Sequence, residues 1–533
     1  MYTVKNINWS PATVDHPKER ACNARCTMQH PSTMISSAAG GSTDRPPLAA
    51  QLAARATPQL PTQPQLLVPL PPNAAVSFHT HPFRTTIMDS LTIYLLTFNC
   101  ARNLVDVDRF SQHFFDALPL DGPDSSAAPP DLVVLSLQEI APLAYAFLGG
   151  SFLTPYFTSL TQVVDRAVAQ RWDTHYVNLL TDNSGMTGLL VFARSDIADH
   201  VSSVDTARVG FGFQEMGNKG AVGARVSYTA PKLAGDPVDF TFVAAHLAPM
   251  EYGLEQRNAN WRSLVERLVF SRPPSAGRRI VETGSGSENE LLLQESTSSP
   301  QQDRRGIYIP ASYLFLAGDL NYRTSSVSPQ KDDHTRFPRA DVDPSDPRHF
   351  SHLLKQDQLS REMGQSRCFH GLSEAPITFP PTYKYALAAR QAASDATVDS
   401  ARSDRQWTRT RWPSWCDRVL YLDNTPPGMG KPGLVRPLRY DALPLFPTSD
   451  HRAVALVVSV PAQPKRLEEA TEPVAPFPID PEWRRKREEA RRKELVVGCL
   501  AYLGWTWEGN VLLVATTVGI LGAWLVLRSL FSI

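Results

Sequence analysis

Phe315-Leu316-Ala317-Gly318-Asp319-Leu320-Asn321-Tyr322-Arg323 is a short apolar run that ends in an acid, an amide and a guanidinium group. The run is typical of a buried β-strand, so the three polar side chains are predicted to lie at its end. A carboxylate can hold a proton of a water molecule, and an amide can orient that water. An arginine can bind phosphate through two parallel hydrogen bonds. The stretch therefore favours hydrolysis of a phosphate ester.

Two later stretches have the same character. Arg411-Trp412-Pro413-Ser414-Trp415-Cys416-Asp417-Arg418-Val419-Leu420 and Thr448-Ser449-Asp450-His451-Arg452 each place charged groups at the edge of an apolar, strand-like run. A carboxylate beside a histidine favours the protonated imidazole and fixes its direction. Asp417 and His451 are therefore candidates for such a pair.

Five further polar elements follow predicted strands or turns. They contribute the candidate residues Asn99, Glu139, Asn218 with Lys219, His246, and Tyr383 with Lys384. Each has an ordinary structural interpretation when it is taken alone, such as a solvated carboxylate, a common turn or a structural histidine. Oxygen ligands such as Glu139 suit Mg²⁺, which keeps several waters and takes one or two protein carboxylates.

The fold is predicted from recurring strand patterns with fewer helices between them. The predicted strands are 93–98, 132–137, 188–192, 221–226, 240–245, 313–317, 419–422 and 454–460; the predicted helices are 105–118, 156–169, 251–270 and 350–363. Many strands with interspersed helices favour packed sheets covered by helices.

The 533 residues carry 53 basic and 53 acidic side chains, so net charge gives no support for the extended basic surface of a nucleic-acid-binding protein. Residues 1–87 are rich in Pro, Ser and Ala and are expected to be disordered. Residues 88–460 are predicted to form the catalytic domain, with surface insertions at about 271–306 and 386–409. A linker, first Pro-rich and then basic, follows at 461–494.

The C-terminal segment 495–533 is predicted to be a membrane tail anchor. Its core, 511–527, holds 17 residues without a charge, which is short but sufficient for a hydrocarbon layer of ~30 Å. The basic run before it predicts a catalytic domain facing the cytosol. The short span suits the thinner bilayer of the endoplasmic reticulum.

These eight stretches, in this order, resemble the inositol polyphosphate 5-phosphatases, and the resemblance covers nearly all of residues 91–460. It implies a DNase-like, four-layer α/β/β/α sandwich and a Mg²⁺ ion held by Glu139 with Asn99 close by. Where this family usually has a second histidine, four residues after His246, this chain has Met250. The Cys-x5-Arg loop of cysteine-dependent phosphatases is absent.

The resemblance also implies the residue roles. Asp319 accepts a proton from the attacking water, Asn321 orients that water, and His246 and His451 donate hydrogen bonds to the phosphate. Asp417 orients His451, and Asp450 supports the water network around the metal. The residues implied to bind substrate are Asn218, Lys219, Tyr383, Lys384, Arg418 and Arg323.

The substrate implied by the resemblance and by the tail anchor is phosphatidylinositol 4,5-bisphosphate in a membrane, with phosphatidylinositol 4-phosphate as the product. The architecture is similar to the fungal tail-anchored members of that family. No nucleic-acid partner is expected. Two alternatives remain: another DNase-like hydrolase, such as a neutral sphingomyelinase or a nuclease, or an inactive membrane-tethered scaffold that binds phosphoinositides.

Overall fold

The computed structural model describes residues 90–119, 128–231, 237–272, 305–309, 312–339, 342–394, 406–422, 435–462 and 474–531. The predicted N-terminal segment, most of the predicted insertion at 271–306 and residues 395–405 of the predicted insertion at 386–409 lie outside these ranges.

Two six-stranded sheets form the centre of the protein. Their strands are β1 Ser90–Asn99, β2 Leu132–Gln138, β3 Tyr176–Ser184, β4 Thr187–Arg194, β5 Val201–Gly210, β6 Gly220–Tyr228, β7 Val238–His246, β8 Tyr313–Asp319, β9 Leu372–Glu374, β10 Asp417–Leu422, β11 Arg436–Leu445 and β12 Arg452–Pro461. The first sheet has the order β11-β12-β1-β2-β4-β3, and the second has the order β5-β6-β7-β8-β10-β9. Strand β1 is parallel to β2 and β7 is parallel to β8, so both sheets are mixed.

Helices cover the outer faces of the sheets. The α-helices before the C-terminal region are Val107–His113, Leu143–Leu148, Thr154–Ala169, Ser195–Ala198, Leu254–Arg267, Phe350–Leu354, Gln358–Gly364 and Leu387–Ala392. Short 3₁₀ turns occur at Gly150–Phe152, Phe213–Glu215 and Asp333–Arg336.

The core has three layers of apolar side chains. The middle layer lies between the two sheets and includes Val134, Val191, Phe242 and Phe315. The two outer layers join each sheet to its helices. Each fully buried side chain of this size contributes about 1.5–3 kcal/mol relative to its exposed state. This is the four-layer α/β/β/α sandwich predicted from the sequence, and that prediction is confirmed.

Strand register brings the polar strand ends together. In the second sheet, His246 at the end of β7 pairs with Asp319 at the end of β8, and Asp319 pairs with Asp417 at the start of β10. In the first sheet, Asn99 at the end of β1 pairs with Gln138, directly before Glu139. Chain segments that are distant in sequence therefore converge at one edge of the sandwich.

All eight predicted strands are present, while β3, β5, β9 and β11 were not predicted. The predicted helix over 350–363 consists of two helices, Phe350–Leu354 and Gln358–Gly364, separated by three residues. The side chain of Asp357 accepts a hydrogen bond from Ser360 N and caps the second helix.

Two helices end the described chain. We call Trp483–Trp505 the basic helix and Trp507–Phe531 the terminal helix. The basic helix crosses the boundary predicted at 494/495 between linker and anchor, and Thr506 separates it from the terminal helix. The terminal helix has a mean hydropathy of 2.1 over its most apolar window, none of which is buried, and it contains the whole predicted span 511–527. Its length of 25 residues is enough to cross a membrane, which suggests membrane association.

Candidate active site

A polar cavity of about 300 Å³ lies at the sheet edge where the strand ends converge. Its lining residues are Asn99, Ala101, Arg102, Asn103, Glu139, Lys219, His246, Pro249, Asp319, Asn321, Arg323, Tyr383, Lys384, Arg390, Asp450 and His451. Eleven of the fourteen residues predicted for the site line this cavity: Asn218, Asp417 and Arg418 are the three that do not.

Asp319 is the buried centre of the site, with 2% of its surface exposed. Its Oδ2 accepts a hydrogen bond from Asn99 Nδ2 at 3.0 Å and lies 3.2 Å from His246 Nε2, while Oδ1 accepts from Asn321 N at 3.1 Å. Burial favours the neutral acid, but the hydrogen bond from His246 and the charges of His451 and Lys219 outweigh it and hold the pKa of Asp319 well below its ordinary value. Asp319 is therefore a fixed carboxylate at neutral pH.

Lys219 joins the two sides of the cavity. Its Nζ lies 2.5 Å from His246 Nε2 and 3.7 Å from Glu139 Oε1. Burial lowers the pKa of Lys219, and burial together with the Lys219 ammonium lowers the pKa of His246. The imidazole of His246 is therefore neutral near pH 7, as a hydrogen-bonding group beside a cation.

His451 and Asp417 form a buried pair. His451 Nδ1 lies 2.9 Å from Asp417 Oδ2, which also accepts a hydrogen bond from Thr382 Oγ1 at 2.6 Å. Burial alone would lower the pKa of His451, but the Asp417 carboxylate reverses this and raises it to about 9. Because Nδ1 is engaged by Asp417, Nε2 is the nitrogen that remains for a ligand in the cavity.

Arg323, Tyr383 and Lys384 form the cationic side of the cavity. The Arg323 guanidinium lies 4.4 Å from the centre of the Tyr383 ring, and its Nε donates to Asn321 O at 3.0 Å. Its Nη1 is buried without a partner among the described residues. Lys384 Nζ lies 2.6 Å from Asp450 Oδ2. Arg323 therefore orients Asn321 and Tyr383 and keeps one N–H group for an anionic ligand.

Four residues of the cavity lining have left-handed backbone conformations: Ala101, Arg102, Glu139 and Asn321. Glu139 has a φ of 46° and Asn321 has a φ of 58°. A residue other than glycine in this region costs of order 1–3 kcal/mol and persists where its surroundings fix it. Glu139 and Asn321 both follow a buried strand, and the turn directs each of them toward the cavity.

The donor atoms of the site fit a hard divalent cation. Glu139 and Asp319 offer carboxylate oxygens, and Asn99 offers an amide oxygen that already accepts a hydrogen bond from Ala101 N at 3.0 Å. Such oxygen ligands are those that Mg²⁺ and Ca²⁺ take in proteins. The Glu139 carboxylate is 23% exposed on the cavity side, while Asn99 Nδ2 holds Asp319 in place. Glu139 is therefore the ligand most available to an ion.

Arg418 is not in the cavity, in contrast to its predicted contact with substrate. Its side chain is fully buried in the core, where Nε donates to Glu374 Oε1 at 2.6 Å and Nη1 lies 3.0 Å from Asp357 Oδ2. Removal of one partner from such a buried ion pair costs about 3–5 kcal/mol. Its position beside Asp417 in sequence reflects strand alternation: adjacent side chains in β10 point to opposite faces.

Asn218, which was expected to bind substrate, and Met250, which stands where the resembling family usually has a histidine, do not line the cavity. Asn218 Oδ1 is buried without a partner in the part of the chain that the structure describes, and Asn218 does not line the cavity. Met250, where the resembling family usually has a second histidine, accepts a hydrogen bond through Sδ from Arg411 Nη2 at 3.3 Å. These two residues therefore lie outside the cavity lining.

Three polar lining residues were missed. Arg102 and Asn103 follow Asn99 in a turn, and Arg102 Nε lies 3.1 Å from Glu139 Oε2. Arg390 belongs to the helix Leu387–Ala392, inside the segment predicted as a surface insertion, and its buried Nε has no partner among the described residues. The turn after β1 carried a signal for Arg102 and Asn103, whereas the polar segment around Arg390 carried none.

Comparison with known proteins agrees with this geometry. The sequence pattern of endonuclease/exonuclease/phosphatase family 2 matches residues 96–457, which include the cavity and both sheets. The chain belongs to this family.

The family relatives of known activity include inositol polyphosphate 5-phosphatases, which confirms the resemblance predicted from the motifs. The chain is 29% identical over 340 residues to the type II inositol polyphosphate 5-phosphatase 14 of Arabidopsis thaliana, covering 61% of this chain and 27% of the plant protein. It is 28% identical over 328 residues to the polyphosphatidylinositol phosphatase INP53 of Saccharomyces cerevisiae, covering 61% of this chain and 23% of that protein. The chain thus spans less than a third of the length of these relatives.

Among solved structures, the inositol polyphosphate 5-phosphatase domain of SPsynaptojanin, in complex with inositol (1,4)-bisphosphate and a calcium ion, aligns with a TM-score of 0.47 and 22% identity. The alignment covers 76% of this chain and 90% of that domain.

Proposed function

We propose that this chain is a Mg²⁺-dependent phosphoinositide 5-phosphatase that hydrolyses the 5-phosphate of phosphatidylinositol 4,5-bisphosphate by direct attack of water. One observation carries the proposal: a fixed carboxylate, Asp319, lies in the same cavity as the protonated imidazole of His451 and the cations Lys219 and Arg323. Such a cavity can hold a phosphate and a water molecule together, and the water needs only a carboxylate to orient it.

Asp319 and Asn321 hold the attacking water. The transition state of phosphoryl transfer is loose, so positioning and charge stabilisation matter more than a strong base. A carboxylate with a depressed pKa suits that role, because it is ionised when the water binds, accepts a hydrogen bond from it and takes its proton as the bond to phosphorus forms. Asn99 Nδ2 and the backbone N–H of Asn321 fix the carboxylate, which limits the freedom of the water.

The negative charge on the phosphate is balanced by groups that are already in place. His451 donates through Nε2 to a phosphate oxygen, and Asp417 keeps the ring charged and correctly turned. Arg323 donates through Nη1, whereas the Nε2 of neutral His246 lies against Asp319 and helps to fix that carboxylate. Glu139, with Asn99 beside it, would hold Mg²⁺, which supplies charge stabilisation for the leaving oxygen.

Specificity for an inositol with adjacent phosphates comes from the second group of cations. Lys384 and Tyr383 lie beside His451, where a 4-phosphate would follow the reacting 5-phosphate. Lys219 and Arg390 extend the positive charge along the cavity. A plain phosphomonoester offers these side chains no second phosphate, which favours the polyphosphorylated ring over a nuclease or sphingomyelinase substrate. An inactive scaffold is disfavoured because each proposed catalytic group is in place.

The decisive experiment is a phosphate-release assay on the purified full-length chain with a panel of phosphoinositide isomers. We expect release from isomers that carry a 5-phosphate, fastest when a 4-phosphate is adjacent, and loss of release when EDTA removes the metal. Readdition of Mg²⁺ should restore it. Equal release from isomers that lack a 5-phosphate would contradict the proposal.

The domain organisation follows the same proposal. Residues 88–460 would form the catalytic domain, and the terminal helix would anchor it in the endoplasmic reticulum membrane with the catalytic domain in the cytosol. Supporting this, the basic helix carries a run of arginine and lysine within 484–493, on the N-terminal side of the apolar terminal helix. Cytosolic flanks of membrane helices are enriched in such residues.

Removal of residues 507–533 is expected to release the protein into the soluble fraction. Loss of confinement to the membrane should lower turnover of phosphatidylinositol 4,5-bisphosphate in vesicles by about 10²-fold, since tethering raises the local concentration by that order. Turnover of a short-chain soluble analogue should remain within about twofold, because the terminal helix contributes no residue to the cavity. Carbonate extraction of the full-length protein is the control; its recovery in the soluble fraction would show that the helix docks on a surface without anchoring.

A further inference from the structure

The basic helix packs directly on the catalytic unit. A Cβ atom added to Gly498 would lie 3.0 Å from Phe147 Cβ and 3.3 Å from Leu148 N, so a side chain there would require the helix Leu143–Leu148 and the basic helix to move slightly apart. Arg491 Nη1 donates to Phe147 O at 2.6 Å and Nη2 donates to Leu148 O at 3.3 Å, which satisfies the carboxyl end of that helix. Packing and hydrogen bonds therefore fix the two helices together.

One acidic side chain extends from the basic helix to the active-site loop. Glu494 is 7% exposed, and its Oε1 accepts a hydrogen bond from Gly217 N at 2.7 Å. Arg491 Nη1 lies 3.1 Å from Glu494 Oε2 and orients the carboxylate. The contact joins residues separated by 277 positions in the sequence.

Gly217 begins the loop that carries Lys219. Its carbonyl oxygen accepts from Met186 N at 2.9 Å, so Glu494 on one side and the β3–β4 turn on the other hold this residue. Two residues later, Lys219 places its ammonium between His246 and Glu139 in the cavity. A hydrogen bond made by the basic helix therefore holds the loop two residues before Lys219, whose own carbonyl oxygen accepts from Phe211 N at 2.8 Å.

The terminal helix also contacts the catalytic unit at its first turn. Tyr145 Oη donates to Glu508 Oε2 at 3.5 Å. Near the end of the basic helix, Tyr502 packs edge-on against Phe152, with 5.4 Å between ring centres. The distance from Glu494 to the end of the basic helix is 11 residues, or about 17 Å along the helix axis. The segment that leads to the apolar helix is thus held against the unit that contains the active site.

We propose that Glu494 is a positioning residue for Lys219, so that the helix preceding the membrane anchor completes the active site. The expected effect on kcat rests on the proposed function. The effect on the loop rests only on the contact between Glu494 and Gly217. The carboxylate acts on the reaction only through Gly217 and the loop.

The test compares full-length variants in detergent micelles with a short-chain phosphoinositide. Glu494→Ala is expected to lower kcat by roughly tenfold and to leave KM within about twofold, because a displaced charge near the reacting groups affects turnover more than binding. Glu494→Gln keeps an oxygen acceptor for Gly217 N and should retain kcat within about twofold. Gly498→Leu, which pushes the basic helix away from Phe147, should reproduce the effect of Glu494→Ala from a different position.

Glu489→Ala is the matched control. Glu489 lies on the same helix, 45% exposed, and pairs with Arg485 away from the catalytic unit. It should leave kcat unchanged.

Hydrogen exchange measured by mass spectrometry gives a readout that does not depend on activity. In Glu494→Ala, amides of residues 216–220 should exchange faster, while those of the central strands keep their wild-type rates. A wild-type chain without 5-phosphatase activity would overturn the proposed function, and the exchange data would still decide the Glu494 contact. Unchanged exchange in the loop, or a loss of kcat in Glu494→Gln or Glu489→Ala as large as that in Glu494→Ala, would overturn the positioning role.

Discussion

Replacement of Asp319 by asparagine is expected to lower kcat by about 10²–10⁴-fold, the usual consequence of losing a positioned group that takes part in proton transfer. The amide has the shape of the carboxylate but neither its charge nor its full acceptor capacity. Asp319 accepts from Asn99, His246 and Asn321 N, and an asparagine can satisfy only part of this set. The attacking water would lose its fixed acceptor. The cations His451 and Lys219 would lose the negative charge that faces them.

The measurement is kcat on phosphatidylinositol 4,5-bisphosphate in micelles, together with thermal unfolding. One new donor facing another donor costs about 1–3 kcal/mol, so the Asp319→Asn variant should still fold. Asp441→Asn is the control, since Asp441 is 36% exposed in β11 and pairs with Arg439 outside the cavity. If Asp319→Asn kept more than a tenth of wild-type kcat with unchanged stability, the role assigned to Asp319 would be wrong.

The sequence predicted the centre of each sheet and missed the edges. The four strands that were not predicted, β3, β5, β9 and β11, are the outermost strands of the two sheets. An edge strand has fewer buried positions and more polar residues, so its apolar pattern is weak. In β5, for example, most residues are partly exposed. The central strands are buried on both faces and read as continuous apolar runs.

The residues predicted for the site lie together in the cavity where polar residues end a buried strand. Asn99, Glu139, His246 and Asp319 all end or follow such strands, and register then brings them to one edge. Arg418 was wrongly placed in the cavity because proximity in sequence to Asp417 does not imply the same face of the strand. Arg390 was missed because it comes from a short helix in a polar segment without periodicity.

The packing of the basic helix on the catalytic unit could also not be predicted from the sequence pattern. Its buried positions are Ala490, Glu494, Gly498 and Ala501, which have helical spacing but small or charged side chains. Such a face produces no apolar stripe, so the segment reads as a solvated linker. A helix face that packs through small residues and one buried carboxylate can be recognised only when the surface it packs against is known.

Asp417→Asn is expected to lower kcat/KM at pH 7 by about 10²–10⁴-fold and to change its pH dependence, because His451 would lose the group that keeps it charged. In the wild type, the pKa of His451 is raised to about 9. Activity that needs the imidazolium should therefore stay level from neutrality and fall as the pH rises through about 9. Without the Asp417 carboxylate, which is the main group that raises the pKa of His451, that pKa should be lower than in the wild type, so the same fall should occur at a lower pH.

The folding stability should change with pH in the same direction as the activity. A histidine with a raised pKa in the folded state contributes its full stabilisation below its unfolded pKa of about 6.5 and loses it as the pH rises through the folded value. Wild-type stability should therefore decline between about pH 6.5 and pH 9, and Asp417→Asn should remove that part of the decline.

The measurement is a profile of kcat/KM from about pH 6 to pH 10 for the wild type, Asp417→Asn and His451→Ala, with chemical denaturation at the same pH values. Thr382 also donates to Asp417, so Thr382→Val is a second variant that perturbs the pair without removing either charge. It should shift the alkaline fall slightly and lower kcat/KM less than Asp417→Asn. If the wild-type alkaline fall stayed in place in Asp417→Asn, the fall would belong to another group and His451 would not be the charged donor to the phosphate.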